Sequence, residues 1–221
     1  MFLYNTIIRY LFLLTKNNKI MKIENETQLR ELYGYPSLRA KDKVLNHLEK
    51  HTLNFIKASP FLVMSTLNSN GKMDASPRGG IPGFVKVIDD TTFVIPDAKG
   101  NNVVDSISNI IETNTVGLLF LIPGLDETLR INGIAHISTA TSYMELFTEE
   151  NNPIKTCIVV SVEEVFLHCA KAFMRSKLWD STAQIDKDSF PSMGQILKDQ
   201  LGLKAIPEPR DAMVKRYRED L

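Results

Sequence analysis

Residues 128–139 alternate between two kinds of side chain at every second position. One side of the segment carries Leu129, Ile131, Gly133, Ala135 and Ile137. The other side carries Arg130, Asn132, Ile134 and His136. A period of two places successive side chains on opposite faces of a β-strand. The segment therefore predicts a long strand with one face in a core, and such a strand needs a sheet to carry it.

Further β-rich runs lie on both sides of this strand, and turn residues such as those of 68–71 separate them. They cover residues 61–67, 72–77, 84–88, 91–95, 115–122 and 155–169. About six antiparallel strands with helices inserted between them favour a closed or partly closed barrel over a parallel sheet. The predicted fold class is mainly β with peripheral helices (α+β).

Helical spacing of apolar residues is found at both ends of the chain and between the strands. It predicts helices over residues 28–34, 38–57, 103–112, 143–148, 192–201 and 209–220. No Gly/Ser-rich linker divides the chain, so residues 21–221 are expected to form a single domain. A second methionine, Met21, precedes that domain, and residues 1–20 are expected to be an upstream mis-start or a loosely attached extension.

Composition excludes several classes of protein. Twenty-six basic residues balance 26 acidic ones, so the chain lacks the positive surplus that nucleic-acid binding needs. Residues 2–14 are apolar but shorter than the ~20 residues that cross a bilayer, so a membrane partner is not expected. Two cysteines suit a reducing compartment, and we expect a cytoplasmic protein. His47 and His51 lack a third ligand nearby in the sequence, so no metal site is predicted.

Two turns combine glycine with hydrogen-bond donors. Residues 76–80 read Ser-Pro-Arg-Gly-Gly, and residues 97–102 read Asp-Ala-Lys-Gly-Asn-Asn before a predicted helix. Glycine allows a ligand to approach the backbone, while Arg, Lys and a helix N-terminus attract anions. Each turn alone is equally well explained as a hairpin or helix cap, but two together favour a phosphate site.

Two more groups of polar residues have both a ligand-binding and a purely structural interpretation. Arg130 and Asn132 share one face of the long strand, which is either a solvated surface or the edge of a cleft. Residues 171–180 hold several cations and the single tryptophan, Trp179. Basic residues at the end of a helix account for the charges but not for the tryptophan.

In this order the four segments resemble the pyridoxamine 5′-phosphate oxidase-related FMN-binding family, in its uncharacterised branch of FMN-dependent proteins. The matching residues are Ser-Pro-Arg-Gly-Gly, Ile-Pro-Asp-Ala-Lys-Gly-Asn-Asn, Glu-Thr-Leu-Arg-Ile-Asn-Gly and Arg-Ser-Lys-Leu-Trp. The resemblance extends over residues 28–217. One departure is Ala98-Lys99, where the branch has Arg-Pro, so that Lys99 keeps the charge without the bidentate fork of arginine.

The resemblance implies a six-stranded antiparallel split β-barrel that forms a homodimer with FMN at the interface. It assigns the phosphate and ribityl chain to Ser76, Arg78, Lys99, Asn101 and Asn102. It places Arg130 and Asn132 beside the isoalloxazine ring, and it brings Arg175, Ser176, Lys177 and Trp179 from the partner subunit. The implied function is an FMN-dependent oxidoreductase acting on a small molecule, with no assigned acid or base, although His136 lies on the face of Arg130.

Three alternatives remain open on the same fold. A flavin or haem storage or sensor protein would not turn over, and His136 or His168 would be the haem ligand. A deazaflavin reductase would use a different cofactor. Oxidation of pyridoxamine phosphate itself is disfavoured because the C-terminal segment lacks the Arg-rich substrate motif of those oxidases.

Overall fold

The computed structural model describes residues 22–98, 100, 102–148 and 153–218. Residues 1–20, predicted to be a mis-start or extension, lie outside the described residues. The chain divides after Asp42 into two compact units. The first contains helices α1 (Glu26–Tyr33) and α2 (Leu38–Asp42), and the second contains every strand.

Seven strands form one antiparallel sheet in the second unit. They are β1 (Phe61–Leu67), β2 (Met73–Gly79), β3 (Lys86–Val87), β4 (Thr92–Ala98), β5 (Thr115–Leu121), β6 (Thr128–Ser138) and β7 (Ile154–His168). Their spatial order is β2-β1-β5-β6-β7-β4-β3. The antiparallel, mainly β prediction is confirmed.

The six strands that the resemblance implies and the closed barrel are wrong. The sheet has seven strands, because the predicted run 84–88 contains a strand of its own, the two-residue β3, beside β4. The hydrogen-bonded ladders of the described residues end at β2 and β3, so the sheet is open. A side-chain ion pair between Arg78 of β2 and Asp97 of β4 nevertheless joins strands near the two ends of this order.

The apolar core lies on one face of the sheet, which we call the inner face. Along β6 it takes Leu129, Ile131 and Ala135, all of them fully buried, as the alternation predicts. Two helices cover this face: α3 (Lys50–Ala58) adds Phe55 and Ile56, and α4 (Asp105–Thr113) adds Ile110. At roughly 1.5–3 kcal/mol for each large apolar side chain, this burial is the main stabilising contribution to the fold.

The remaining helices lie after β6. Helix α5 (Thr141–Met144) continues as a 3₁₀ turn (Glu145–Phe147), and α6 (Lys171–Ser176) follows β7. Two further 3₁₀ turns (Ser181–Ala183 and Lys187–Ser189) precede α7 (Met193–Leu201) and α8 (Arg210–Arg218). No helix of the described residues is long and apolar enough to cross a membrane.

The helix predicted over residues 38–57 is interrupted. The backbone of Leu45 exchanges two hydrogen bonds with Val165 of β7, at 3.0 and 2.8 Å, and an extended pairing of this kind is incompatible with a helix. Helix α3 starts only at Lys50, where Glu49 and Thr52 form a capping box. His47 therefore precedes the helix that carries His51, and the described residues contain no cluster of three metal-ligating side chains.

A β-bulge lies between β6 and β7. Asn132 pairs with Glu164 while the next residue, Gly133, pairs with Val162, so Glu163 has no partner in the ladder. A Cβ built on Gly133 would lie 2.1 Å from the carbonyl oxygen of Ser161. Gly133 is thus required by the close approach of two backbones.

We expect Gly133→Ala to lower the free energy of unfolding by about 2–3 kcal/mol, since the new methyl group must displace backbone rather than a side chain. Gly117→Ala is the matched control in the neighbouring strand. Its Cβ would meet the side chain of Asn132 at 3.4 Å and therefore needs only a small adjustment. Urea denaturation measures both, and equal losses would contradict the assignment.

Candidate functional site

A polar cluster lies where β2 and β4 approach each other. Arg78 is on the inner face of β2, where its Cα pairs with that of the buried Leu62. Its Nη2 lies 3.7 Å from Oδ1 of Asp97, which is ion-pair distance but too long for a hydrogen bond. Asp97 pairs with Thr156 of β7 in the sheet. We call Arg78, Asp97, Asn102, Lys155 and Thr156 the Arg78 cluster.

Two buried polar atoms of this cluster have no hydrogen-bond partner in the described part of the chain. They are the Nε of Arg78 and the Oγ1 of Thr156. A buried polar group without a partner costs about 1–3 kcal/mol, and more when it is charged. The Arg78 cluster therefore has unused hydrogen-bonding capacity for a bound group with acceptor oxygens, and a phosphate ester with a hydroxylated chain fits that requirement.

Asp97 modulates the charge of the cluster. Burial raises the pKa of this carboxyl above its ordinary value of 3.8, while Arg78 and Lys155 oppose the shift. Lys155 is the extra residue of a β-bulge in β7, opposite Asp97 and Ala98 of β4. Its Nζ donates a hydrogen bond of 3.0 Å to Oδ1 of Asn102. Asn102 has a left-handed backbone with φ of 61°. Two cations thus surround a carboxyl group that burial makes less acidic.

Of the other residues predicted to bind the phosphate, the structure describes Ser76 and Asn102. Ser76 is half-buried on the same face of β2 as Arg78, two residues before it. Lys99 and Asn101 lie outside the described residues. Helix α4 begins at Asp105 rather than at Val103, and its N-cap residue Val104 makes no side-chain capping bond. The structure therefore places Ser76 beside Arg78 along β2 and brings Asn102 into the Arg78 cluster through Lys155.

Arg130 and Asn132 lie on the opposite, outer face of the sheet. They line a groove of about 630 Å³ between β1, β5 and β6. The Nε of Arg130 donates to Oδ1 of Asn132 at 3.4 Å, and Nδ2 of Asn132 donates to Oε2 of Glu164 at 2.9 Å. We call this cavity the outer groove. Its other walls include Val63, Ser65, Leu67, Gly117, Leu119, Glu163 and His168.

The predicted site residues are consequently divided between two faces. Arg78 is on the inner face of β2, and Arg130 is on the outer face of β6 with β1 and β5 between them. Within one chain the structure does not bring these two arginines together.

The last four predicted residues lie after the sheet. Arg175 and Ser176 end helix α6, Lys177 is its left-handed C-cap, and all three are exposed. Trp179 is half-buried: its ring stacks on Phe173 with centroids 5.6 Å apart, and its Nε1 donates to the carbonyl of Leu125 at 2.9 Å. The tryptophan therefore ties the segment after α6 to the loop after β5.

The segment from residue 48 to residue 169 matches the family model described as pyridoxamine 5′-phosphate oxidase, and that segment is more than half of the chain. The chain belongs to the pyridoxamine 5′-phosphate oxidase family. The predicted resemblance is confirmed. The match contains all seven strands together with Arg78 and Arg130, and it ends before Arg175–Trp179.

Solved structures are similar to the chain only distantly. HupZ of Group A Streptococcus is 16% identical, over 54% of this chain and 93% of its own, with a TM-score of 0.46. An FMN-binding protein of Syntrophomonas wolfei is 15% identical, over 65% and 97%, with a TM-score of 0.40. HutZ of Vibrio cholerae, a haem storage protein, is 10% identical, over 54% and 94%, with a TM-score of 0.40. No curated protein matches the chain. At these identities neither ligand transfers to this member of the pyridoxamine 5′-phosphate oxidase family.

Sequence reasoning missed several residues of both sites. Asp97 lies within the predicted Asp-Ala-Lys-Gly-Asn-Asn turn but was not assigned, and Lys155 and Thr156 were read only as part of a strand. The signal for Asp97 was an acidic residue on the inward parity of β4, after the buried Phe93 and Ile95. His136, which the alternation placed on the same face as Arg130, is exposed.

The raised pKa of Asp97 predicts an unusual pH dependence of stability. A carboxyl with a raised folded-state pKa stabilises the fold below its unfolded pKa, and this contribution is lost as pH rises through the folded value. Asp97→Asn should therefore leave the unfolding free energy at neutral pH unchanged or higher, and should flatten its decline above pH 3.8.

Asp89→Asn is the control of opposite sign. Asp89 accepts hydrogen bonds from the backbone N–H and hydroxyl of Thr91, and these lower its pKa. Its removal should reduce stability at neutral pH. Denaturation curves at several pH values distinguish the two variants, and a loss of stability in both at neutral pH would refute the role given to Asp97.

Proposed function

We propose that this protein binds FMN at a homodimer interface and acts as an FMN-dependent oxidoreductase. The observation that carries the proposal concerns two buried atoms of the Arg78 cluster, the Nε of Arg78 and the Thr156 hydroxyl. Neither has a hydrogen-bond partner among the described residues. A ligand with several oxygens can supply a partner to each of these two atoms. Membership of the pyridoxamine 5′-phosphate oxidase family supports FMN as that ligand.

The residues of the chain divide the work of holding the cofactor. Arg78 and Ser76 bind the phosphate together with Lys99 and Asn101, the residues that the family resemblance assigns to it, since charge-assisted donors are the strongest partners of a dianion. Lys155 holds Asn102 in place through its 3.0 Å hydrogen bond, and the Asp97 carboxyl and Thr156 hydroxyl face the ribityl chain. Bound FMN would supply two-electron redox chemistry between a reduced donor and oxygen or a small acceptor.

Arg130 and Asn132 serve the ring of the FMN held by the other protomer. Their position on the face opposite to Arg78 supports an arrangement in which a second copy brings the two groups together. The outer face suits such an interface because Val63 and Leu119 line it, and Ile134 is 50% exposed on β6. Arg175, Ser176, Lys177 and Trp179 reach the same flavin from the partner, with Trp179 held by Leu125.

The phosphate assignment is tested by Arg78→Ala. Loss of a charge-assisted contact should weaken FMN binding by about 2–3 kcal/mol. Fluorescence titration of the cofactor-free protein measures the affinity. Arg39→Ala, in helix α2 of the first unit, controls for the loss of an arginine. Unchanged affinity in Arg78→Ala would move the phosphate elsewhere, and a protein that takes up no flavin would refute the function.

The shared site is tested by mixing two variants that are each expected to bind FMN weakly. Arg78→Ala and Arg130→Ala dimers should each bind FMN weakly. After mixing and refolding, a heterodimer holds one site with both arginines intact, so that about a quarter of all sites regain tight binding. No recovery would show that both arginines act from the same chain or that the protein is monomeric, and analytical ultracentrifugation separates those two cases.

A further inference from the structure

Three basic side chains gather around one phenylalanine at the edge of the outer groove. The Lys43 Nζ lies 4.8 Å from the ring centroid of Phe166, and the Arg130 guanidinium carbon lies 5.5 Å from it. The His168 ring lies against the same phenylalanine, with centroids 4.8 Å apart. We call Lys43, Arg130, Phe166 and His168 the Phe166 cluster. Arg130 and His168 are also walls of the outer groove.

The two cations of this cluster have donors to spare. No carboxylate of the described residues lies within ion-pair distance of Lys43 or Arg130. Lys43 uses one of its three N–H donors on the carbonyl of Leu167 at 2.9 Å, and Arg130 uses only its Nε, in a long bond to Asn132. Two positive groups beside the same ring repel one another, and an anion that both of them contact would reduce that repulsion.

The surrounding charges limit the anion to a single negative charge. Burial lowers the pKa of His168, and Lys43 and Arg130 lower it further, so the imidazole is neutral at physiological pH and acts as a hydrogen-bonding group. The carboxylate of Glu163 lines the same groove, and that of Glu164 accepts a hydrogen bond from Asn132. These two acidic groups partly offset the cations and disfavour a phosphate dianion.

Much of the rest of the outer groove is apolar. Val63, Leu67 and Leu119 line it beside the hydroxyl side chains of Ser65, Thr66 and Thr115. Phe166 adjoins the groove through its contacts with Arg130 and His168. A ligand that fills this volume has an apolar body and carries its charge at one end, where Lys43, Arg130 and His168 lie.

We infer that the outer groove binds the substrate, an organic monocarboxylate with a flat apolar body, and that Lys43, Arg130 and His168 hold its carboxylate. This assignment rests on the proposed function, because it places the substrate beside the flavin ring that Arg130 and Asn132 flank. It identifies Lys43 and His168 as substrate-binding residues.

The test uses benzoate as the probe and benzamide, its neutral isostere, as the control ligand. Benzoate is titrated into the FMN-loaded protein and followed through the visible absorption of the flavin. It should perturb the spectrum, and benzamide should bind about tenfold more weakly, because only the carboxylate makes charge-assisted contacts. Equal binding of the two ligands, or tighter binding of phenyl phosphate than of benzoate, would overturn the assignment.

Lys43→Met and His168→Gln locate the carboxylate. Each should weaken benzoate binding, by about tenfold for the lost cation, and leave the affinity for FMN unchanged. Lys86→Met is the matched control, because Lys86 also lies over a phenylalanine ring, that of Phe147, at 5.8 Å and away from the outer groove. A parallel loss of FMN affinity in Lys43→Met would make this the cofactor phosphate site, and an equal effect of Lys86→Met would remove the site altogether.

The same variants separate failure of this assignment from failure of the proposed function. If the protein takes up no FMN, benzoate binding to the protein as isolated is measured by calorimetry. Binding that is lost in Lys43→Met supports the carboxylate site independently of flavin. Absence of benzoate binding overturns it in either form of the protein.

Discussion

The bulge between β6 and β7 decides which side chains this protein can offer to a ligand. Before the bulge, Ile158, Val160 and Val162 point to the core; after it, Val165 does. The extra residue Glu163 shifts the alternation by one position, so Glu164, Phe166 and His168 emerge on the outer face. Without that shift the three polar or aromatic groups would project into the core and Val165 would be exposed. The close contact at Gly133 is the physical condition for the bulge, and through it for the outer groove.

A second constraint acts at the other site. The sheet is not closed by hydrogen bonds, and β2 approaches β4 through side chains, with Arg78 and Asp97 at 3.7 Å. Strands joined in this way lack the backbone hydrogen bonds that a continuous ladder would supply. The unpartnered Nε of Arg78 and the raised pKa of Asp97 have the same origin, namely polar groups partly withdrawn from water where the backbone supplies no partner.

Local sequence patterns were sufficient for most of the secondary structure and insufficient for the site. The alternation of residues 128–139 predicted β6 and the faces of Arg130 and His136, because a period of two places successive side chains on opposite faces of a strand. The prediction of a helix over residues 38–57 was wrong because Leu45 pairs with Val165, which is distant in the sequence. Helical spacing carries no information about that pairing. The division of Arg78 and Arg130 between two faces was also out of reach, since it follows from strand order and not from either motif. The Phe166 cluster was missed because one inserted residue reverses the parity of β7, and nothing in the run Val-Glu-Glu-Val marks where the insertion falls.

The division of arginines between two faces has a consequence for the behaviour of the protein in solution. If one flavin contacts Arg78 of one copy and Arg130 of another, flavin binding and association of the two copies are thermodynamically linked. Each process then strengthens the other, and the midpoint of either depends on the concentration of both flavin and protein. Dilution alone would release cofactor from a chain whose fold remains intact. At a fixed concentration of free flavin, occupancy would rise with the concentration of the protein itself, whereas the occupancy of a site enclosed within one subunit would depend on free flavin alone.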